Sequence, residues 1–230
     1  MPQHYPGLII FDCDGVLVDS EPISLAVLLD MITAGGGNVG EEEAYQRFLG
    51  MSMASVGTIL SEDFAFEMTD DHLEAMRAEL NRRFVEELHP VRGIREALDR
   101  LPMKRCVASS SGIERIRLSL KLTGLLEMFE PSIYSASMVA RGKPAPDLFL
   151  HAAAAMGVAP RDCLVIEDSP AGVRAAQSAG MRVFAFAGGS HAKPAGLSKT
   201  LAALAPDVLF EDMAHLPDLI ASEGRQARVS

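Results

Sequence analysis

The feature of the sequence that most limits its fold is the alternation of short apolar runs with helical patterns. Most of these runs are apolar throughout, which is typical of parallel strands covered on both faces. The helices between them carry start and stop signals, such as Ser169 and Pro170 before one helix and Gly157 after another. This alternation predicts an α/β fold with a parallel sheet. The predicted strands are 8–11, 105–108, 133–134, 163–166, 182–187 and 208–210.

Residues from about 21 to 88 depart from this alternation. Four segments there have helical patterns, and no strand is predicted among them. An insert directly after the first strand of an α/β domain is positioned to lie over the carboxyl ends of the strands, where open parallel sheets bind ligands. We therefore predict a core formed by residues 1–20 and 89–230, and a small all-helical cap, 21–88, that acts as a lid. The tail, 223–230, is expected to be disordered.

Charge and hydropathy limit the partners that such a chain can have. The formal net charge of −10 argues against nucleic acid, because proteins that bind it carry basic surfaces. No segment approaches the length needed to span a bilayer, and the N-terminus has no basic region before its short apolar run. We therefore expect a cytoplasmic protein with no membrane partner, and a monomer by default.

The cysteines and histidines show no spacing that indicates a metal site. Cys13, Cys106 and Cys163 each lie in or beside an apolar run without a CxxC pattern, so we interpret them as small buried residues in a reducing compartment. The six histidines form no HxH or HxxxH pair of the kind that binds zinc. We interpret all six, His191 among them, as surface or packing residues.

Polar side chains follow several of the predicted strands or lie in loops on the same side of the sheet. Because the carboxyl ends of parallel strands share one edge, we expect these side chains to meet in space. Each alone has an ordinary explanation as a turn, a helix cap or a surface charge, but their coincidence at strand ends favours a functional site. They are Asp12 and Asp14, Ser109, Lys143, and Glu167 with Asp168.

Two carboxylates at the end of the first strand indicate a cation. Alternation along a strand places Asp12 and Asp14 on one face and Cys13 on the other. Buried side by side, the two acids would repel each other, and one would keep its proton near neutral pH unless a cation lay between them. Mg²⁺ fits this position because it prefers oxygen ligands and usually binds together with substrate phosphate. Glu167 and Asp168 supply further oxygen ligands from another strand.

The remaining polar groups suit an anion. Ser109 offers a hydroxyl, and the backbone N–H groups of Ser110, Ser111 and the residue after them begin a helix, where anions bind readily. Ser111 and Glu114 also have the spacing of a capping box. Lys143 adds a positive charge among the acids. Together these groups predict a site for a phosphoryl group.

In combination these motifs resemble those of the haloacid dehalogenase superfamily. The stretch FDCDGVLVDSE is similar to its first motif, Ser109 to its second, Lys143 to its third and IEDSPAG to its fourth, in the expected order and over nearly the whole chain. The chain most resembles the subgroup of sugar-phosphate phosphatases and β-phosphoglucomutases, whose helical cap is inserted just after the first motif. The resemblance implies a Rossmann-like parallel-sheet core, this cap, and a small phosphorylated metabolite as substrate.

The resemblance also implies a role for each of these residues. Asp12 would be the nucleophile that forms an aspartyl-phosphate, and Asp14 would protonate the leaving alkoxide and then deprotonate the attacking water. Ser109 and Lys143 would hold the phosphoryl oxygens. The ligands of Mg²⁺ would be Asp12, the backbone carbonyl of Asp14, Asp168 and, directly or behind another ligand, Glu167.

Within this superfamily the residues favour hydrolysis of a phosphate ester. Dehalogenases lack an acid at the position of Asp14, and phosphonate-cleaving members need a cap lysine, which residues 21–88 do not contain. Mutases carry a cap histidine and an arginine where this chain has Ser24 and Met53, so isomerisation is the alternative, with Arg47 or another cap cation as a substitute clamp. A non-catalytic module that binds a phosphorylated metabolite is a third possibility.

Specificity in this architecture would come mainly from the cap. The side chains at the expected substrate contacts are mostly small or apolar, which suits a small monophosphorylated sugar, polyol or sugar acid. The predicted contacts are Ser20, Ser24, Gly50, Met51 and Ser52, together with Ser110 and Ser111 beside the phosphoryl site.

Overall fold

A single parallel sheet of six strands forms the centre of the molecule. The computed structural model describes residues 5–48, 53–64 and 66–226 of the chain. The strand order is β3-β2-β1-β4-β5-β6, and every neighbouring pair is parallel. This arrangement confirms the predicted α/β fold with a Rossmann-like sheet. The strands are β1 (Leu8–Phe11), β2 (Lys104–Ser109), β3 (Ile133–Ser135), β4 (Cys163–Glu167), β5 (Arg182–Phe186) and β6 (Val208–Phe210).

Helices cover both faces of this sheet, which explains why its strands are apolar throughout. Ile9 and Phe11 of β1 pack into one buried apolar cluster, and Leu8 and Ile10 into another on the opposite face. The three cysteines are buried and unpaired, as predicted. The helices are α1 (Glu21–Ala34), α2 (Glu41–Phe48), α3 (Met53–Phe64), α4 (Asp70–Glu87), α5 (Ile94–Arg100), α6 (Ile113–Leu122), α7 (Asp147–Met156), α8 (Pro170–Ser178), α9 (Leu197–Ala202) and α10 (Leu216–Gln226).

Helices α1 to α4 share an apolar cluster of their own. Its members include Ile32 of α1, Phe48 of α2, Leu60 of α3 and Met76 of α4, all of them buried. Between β1 and α5, the described residues contain helices and no strand, in keeping with the helical patterns of this segment. The boundary of this unit and its action as a lid over the core stay predictions.

The local helix signals are only partly confirmed. The Ser169 hydroxyl accepts a hydrogen bond from the backbone N–H of Gly172 at 3.0 Å, and α7 ends at Gly157 with a left-handed φ of 68°, both as the sequence predicts. The predicted capping box at Ser111 is wrong. Helix α6 begins after Gly112, so Ser111 lies one residue too early to cap it, and its hydroxyl donates a hydrogen bond to Asp14.

The end of the chain is more ordered than its composition indicates. Helix α10 continues to Gln226, so the expectation of a disordered tail is wrong for residues 223–226. Buried Leu216 and Ile220 anchor this helix against the same apolar cluster as Ile9 and Phe11. In the described ranges, no helix is both long and apolar enough to cross a membrane.

Gly188 lets the chain leave β5 beside the end of β6. Ala187 donates a backbone hydrogen bond to Phe210 at 2.8 Å, which brings the two strand ends together. A Cβ on Gly188 would overlap the backbone carbonyl of Glu211, and a backbone group cannot rotate aside as a flexible side chain can. Only glycine therefore fits at this point, where the chain turns toward His191.

We expect Gly188→Ala to lower the free energy of unfolding by on the order of 2 kcal/mol, because strands β5 and β6 must shift to admit the methyl group. Urea unfolding followed by circular dichroism measures the change. Gly40→Ala is the matched control, since a Cβ there meets no atom within 4 Å. Equal stability of the two variants would contradict this account of Gly188.

Candidate active site

One cavity at the carboxyl edge of the sheet collects the polar residues singled out in the sequence. It has a volume of about 540 Å³ and lies between the strand ends and helices α1 to α4. Ser20 lies beside it and contacts Asp14. Gly50, Met51 and Ser52 lie outside the described residues, so their predicted contacts stay predictions. The predicted residues that line the cavity are Asp12, Asp14, Ser24, Ser109, Ser110, Ser111, Lys143, Glu167 and Asp168.

A buried ammonium group joins the ends of two neighbouring strands. Lys143 Nζ donates to Asp12 Oδ1 and to Glu167 Oε1, both at 2.6 Å. The other oxygen of Glu167 accepts from the backbone N–H of Ser169 at 2.6 Å. Burial alone would lower the pKa of Lys143, but the two carboxylates outweigh it and raise that pKa above its usual value. Lys143 therefore stays positively charged in the core of the site.

Negative charge remains in excess around this ammonium. Burial raises the pKa of Asp12 well above its usual value, and the charges of Glu167 and Asp168 raise it further against the opposing effect of Lys143. Burial and the charge of Glu167 also raise the pKa of Asp168, although His191 and Lys143 oppose them. This surplus is relieved when an additional cation binds.

The donor set fits a hard divalent cation. Carboxylate oxygens of Asp12, Glu167 and Asp168 lie within 4.8 Å of one another, and all three residues are buried. Gly15 makes this approach possible, because a Cβ there would overlap a carboxylate oxygen of Asp168. Oxygen ligands are those that Mg²⁺ prefers. The side chain of Asp14 is not part of this cluster.

Asp14 lines the same cavity but contacts a different cation, Arg115. Its Oδ1 accepts from Ser20 Oγ at 2.7 Å and from Arg115 Nη2 at 3.1 Å, and its Oδ2 accepts from Ser111 Oγ at 2.7 Å. Burial would raise the pKa of Asp14, but Arg115 and the two hydroxyls outweigh burial and hold that pKa below its usual value. Of the two aspartates that follow β1, Asp12 is therefore the one whose pKa is raised, and Asp14 is ionised.

Arg115 was not recognised in the sequence. It lies in the first turn of α6, directly after the loop that begins at Ser109, and it lines the cavity. Its guanidinium group lies 5.1 Å from the centre of the Phe84 ring on α4, and its Nη2 is 3.3 Å from Ser24 Oγ on α1. Because a helix that starts at a strand end points its first turn at the same edge, this position could have been found.

His191 corrects the interpretation of the histidines. Its side chain is 2% exposed and lines the cavity, with Nε2 only 3.1 Å from Asp168 Oδ2. Burial lowers the pKa of His191, but the hydrogen bond to Asp168 outweighs burial and raises that pKa above its usual value. The loop after β5 ends at the same edge as the other motifs, so the strand-end rule applied to it would have indicated His191.

Glu21 is a third residue that the sequence did not single out. It is the first residue of α1 and lines the same cavity as Asp14 and Asp168. Burial and the charges of Asp14 and Asp168 raise the pKa of Glu21 from 4.5 to about 7, although His191 and Arg115 oppose them. Glu21 thus adds a carboxyl group that keeps its proton at a pH well above the one at which a glutamate usually loses it.

Comparison with known proteins agrees with this geometry. A family model described as haloacid dehalogenase-like hydrolase matches residues 9–186. The 6-phosphogluconate phosphatase of Escherichia coli (strain K12) is 31% identical over 217 residues, which cover 94% of this chain and 95% of that protein. The family match runs from β1 to β5 and includes helices α1 to α4.

Two solved structures superimpose over almost the whole chain. A haloacid dehalogenase-like protein of unknown function from Agrobacterium tumefaciens str. C58 is 37% identical, with a TM-score of 0.86 and coverage of 94% of this chain and 98% of that one. A HAD family hydrolase from Deinococcus radiodurans R1, solved with bound phosphate and sodium, is 30% identical, with a TM-score of 0.81 and coverage of 97% and 98%.

We expect Glu21→Gln to stabilise the metal-free protein in a pH-dependent way. The unfolded chain releases the proton of Glu21 near pH 4.5, whereas the folded protein keeps it to about pH 7. The wild type therefore loses stability relative to the variant as the pH rises from 4.5 to 7, and the difference is constant above that. Thermal unfolding with chelator should show almost no difference at pH 4 and on the order of 3 kcal/mol at pH 8.

Glu74→Gln serves as the control for this measurement, because Glu74 is an exposed carboxyl group on α4, away from the cavity. A stability difference for Glu21→Gln that does not change with pH would show that Glu21 has no raised pKa. Added Mg²⁺ should reduce the difference, since it neutralises the charges that repel Glu21.

Proposed function

The chain belongs to the haloacid dehalogenase-like hydrolase family, and on that premise we propose that it is a Mg²⁺-dependent phosphatase acting through an aspartyl-phosphate. Family membership and the phosphatase name of its relative make it a phosphoric monoester hydrolase. The proposed substrates are small phosphorylated metabolites, namely monophosphates of sugars, polyols or sugar acids. The observation that carries the proposal is the buried contact of 2.6 Å between Asp12 and Lys143 at the end of β1.

Asp12 is the proposed nucleophile because it lies beside the groups that would hold a phosphoryl group. Its carboxylate oxygen attacks phosphorus, the ester P–O bond breaks, and an acyl phosphate forms on Asp12. Lys143 and the Ser109 hydroxyl, both on the cavity wall, then hold the phosphoryl oxygens on which negative charge resides. Water hydrolyses the acyl phosphate in the second step and regenerates the carboxylate.

Asp14 is the proposed proton carrier in both steps. In the structure it is ionised and held by Ser20, Ser111 and Arg115, which is the form that removes a proton from the attacking water. In the first step it must be protonated to deliver a proton to the leaving alkoxide. The negative charge of an incoming phosphate raises the pKa of Asp14, and so favours that protonated form.

The proposed Mg²⁺ ligands are Asp12, Asp168 and the backbone carbonyl of Asp14. When bound, Mg²⁺ supplies positive charge to the phosphoryl oxygens and orients them. Both oxygens of Glu167 already accept hydrogen bonds, one from Lys143 and one from the backbone of Ser169. We therefore assign Glu167 to holding Lys143 in place rather than to direct binding of the metal.

Helices α1 to α4 are the proposed cap, within residues 21–88, because they supply most of the apolar wall of the cavity. Ser24 stands where the resemblance places the cap histidine of mutases, and its hydroxyl accepts from Arg115 at 3.3 Å. A serine cannot exchange protons near neutral pH as a histidine does, which favours hydrolysis over isomerisation. The apolar residues that line the cavity from this unit are Leu25, Leu28, Phe48, Val56, Met76 and Leu80.

We expect Mg²⁺-dependent release of inorganic phosphate from a panel of sugar, polyol and sugar-acid monophosphates, and no release with chelator. Asp12→Asn should lower kcat by at least about 1000-fold, because the amide oxygen is a poor nucleophile. Asp218→Asn is the control, since Asp218 is exposed and pairs with Arg100 on the surface. Activity of Asp12→Asn within tenfold of the wild type would rule out Asp12 as the nucleophile.

Two further variants separate the roles of the neighbouring acids. Asp168→Asn should raise the Mg²⁺ concentration for half-maximal activity by about 10- to 100-fold, because it weakens a metal ligand. Glu167→Gln should lower kcat with a smaller effect on that concentration, because Lys143 loses the negative charge of one of its two partners. The opposite order, measured by Mg²⁺ titration of phosphate release, would make Glu167 the ligand instead.

A further inference from the structure

We propose that Arg115 binds a carboxylate on the leaving group, so that the substrates are phosphate esters of hydroxy acids rather than of neutral sugars or polyols. The inference rests on the proposed phosphatase function and narrows its substrate class. It starts from the position of Arg115, which lines the cavity at the junction of the strand ends with helices α1 and α4.

Arg115 is a basic side chain of the cavity wall that takes no part in the contacts of Lys143 with Asp12 and Glu167. Lys143 is held between Asp12 and Glu167, each at 2.6 Å. The imidazole of His191 pairs with Asp168 at 3.1 Å. Among the described lining residues, Arg115 is therefore the basic side chain that remains for a second charged group of the substrate.

The guanidinium group has donor capacity that the protein does not use. Both of its hydrogen bonds described above come from Nη2, and they are long, at 3.1 Å to Asp14 and 3.3 Å to Ser24. Its Nε is buried and has no hydrogen-bond partner among the described residues. A guanidinium group carries five N–H donors, and a buried N–H without a hydrogen-bond partner is unfavourable. The site therefore favours a ligand that accepts hydrogen bonds from Arg115.

The contact between Arg115 and Asp14 indicates which part of the substrate Arg115 would bind. Asp14 is the group proposed to act on the leaving oxygen, and Arg115 contacts Asp14 directly. A group bound by Arg115 therefore belongs to the leaving alcohol and not to the transferred phosphoryl group. Ser24 and Glu21 line the same cavity and offer hydrogen bonds to hydroxyl groups between the two ends.

The charge balance favours a carboxylate over a second phosphate. Five carboxyl groups line the cavity, and among the described residues of its wall only two side chains, Lys143 and Arg115, carry a permanent positive charge. These carboxyl groups therefore repel a substrate carboxylate, with one negative charge, less than a second phosphate, with two. A planar carboxylate also matches the fork of a guanidinium group. The five carboxyl groups are Asp12, Asp14, Glu21, Glu167 and Asp168.

The test compares three substrates that differ in their second group. These are 6-phosphogluconate with a carboxylate at C1, glucitol 6-phosphate with a neutral hydroxymethyl group there, and glucitol 1,6-bisphosphate with a second phosphate on the same open chain. We expect kcat/KM of the wild type to be at least about tenfold higher for 6-phosphogluconate than for either of the others. Equal values for the acid and the polyol, or a preference for the bisphosphate, would overturn the inference.

Variants of Arg115 test the residue itself. Arg115→Met removes the cation beside Asp14 for every substrate, but only 6-phosphogluconate also loses a carboxylate contact. Its kcat/KM should therefore fall about 10- to 100-fold more than that for glucitol 6-phosphate, with the extra loss mainly in KM. Arg115→Lys should restore part of the loss, because it keeps the charge without the fork. Arg117→Met is the matched control on the same helix, since Arg117 is half-exposed and pairs with Glu130. Equal losses on both substrates would make Arg115 only a partner of Asp14.

A binding measurement separates this inference from the proposed function. If the wild type hydrolyses none of the esters, the phosphatase proposal fails, but calorimetry still tests Arg115. The inference then requires that 6-phosphogluconate bind the wild type at least about tenfold more tightly than glucitol 6-phosphate, and that Arg115→Met abolish the difference. Equal binding of the two compounds to the wild type would overturn it.

Discussion

The ion pairs of Lys143 with Asp12 and Glu167 are the interaction on which the site depends. A buried ammonium group is tolerated only when oppositely charged partners lie close to it in good hydrogen-bond geometry. Here Lys143 Nζ lies 2.6 Å from a carboxylate oxygen of each partner. This requires that β1 and β4 be neighbours in parallel register, with Phe11 opposite Ile166, so that the next residue of each strand is an acid. The loop before α7 must then bring Lys143 between them. Sheet order and register are thus conditions for the chemistry as well as for the core.

The two aspartates of the first strand end differ because each has its own surroundings. Asp12 lies in a buried cluster with two other acids and one ammonium group, whereas Asp14 accepts hydrogen bonds from an arginine and two hydroxyl groups. Two carboxyl groups separated by one residue therefore have pKa values shifted in opposite directions. Such a division is what a reaction with a nucleophile and a separate proton carrier requires.

The sequence allowed the sheet and most of the acids to be predicted, because both follow from local patterns. Uniformly apolar runs mark strands covered on two faces, and polar residues at their ends meet at one edge. The strand-end rule could have placed Arg115 at this edge, but it does not say which side chains pair there, so the contact of Arg115 with Asp14 could not be predicted. Ser111 shows the same limit, since its spacing fits a helix cap but tertiary structure offers its hydroxyl a carboxylate. His191 follows β5 in a loop without a motif, and only its position at the edge reveals it.

The cavity wall is assembled from two separate stretches of chain, and this divides the tasks of recognition between them. Most of the apolar side chains come from α1 to α4, whereas Arg115 and the acids other than Glu21 come from the strand ends and α6. Exchange of the helical segment with that of a relative would therefore change the shape of the cavity but leave its charges almost unaltered. Selectivity for substrate shape and selectivity for substrate charge therefore depend on different segments of the chain, and the helical segment could be redesigned without changing the charged residues.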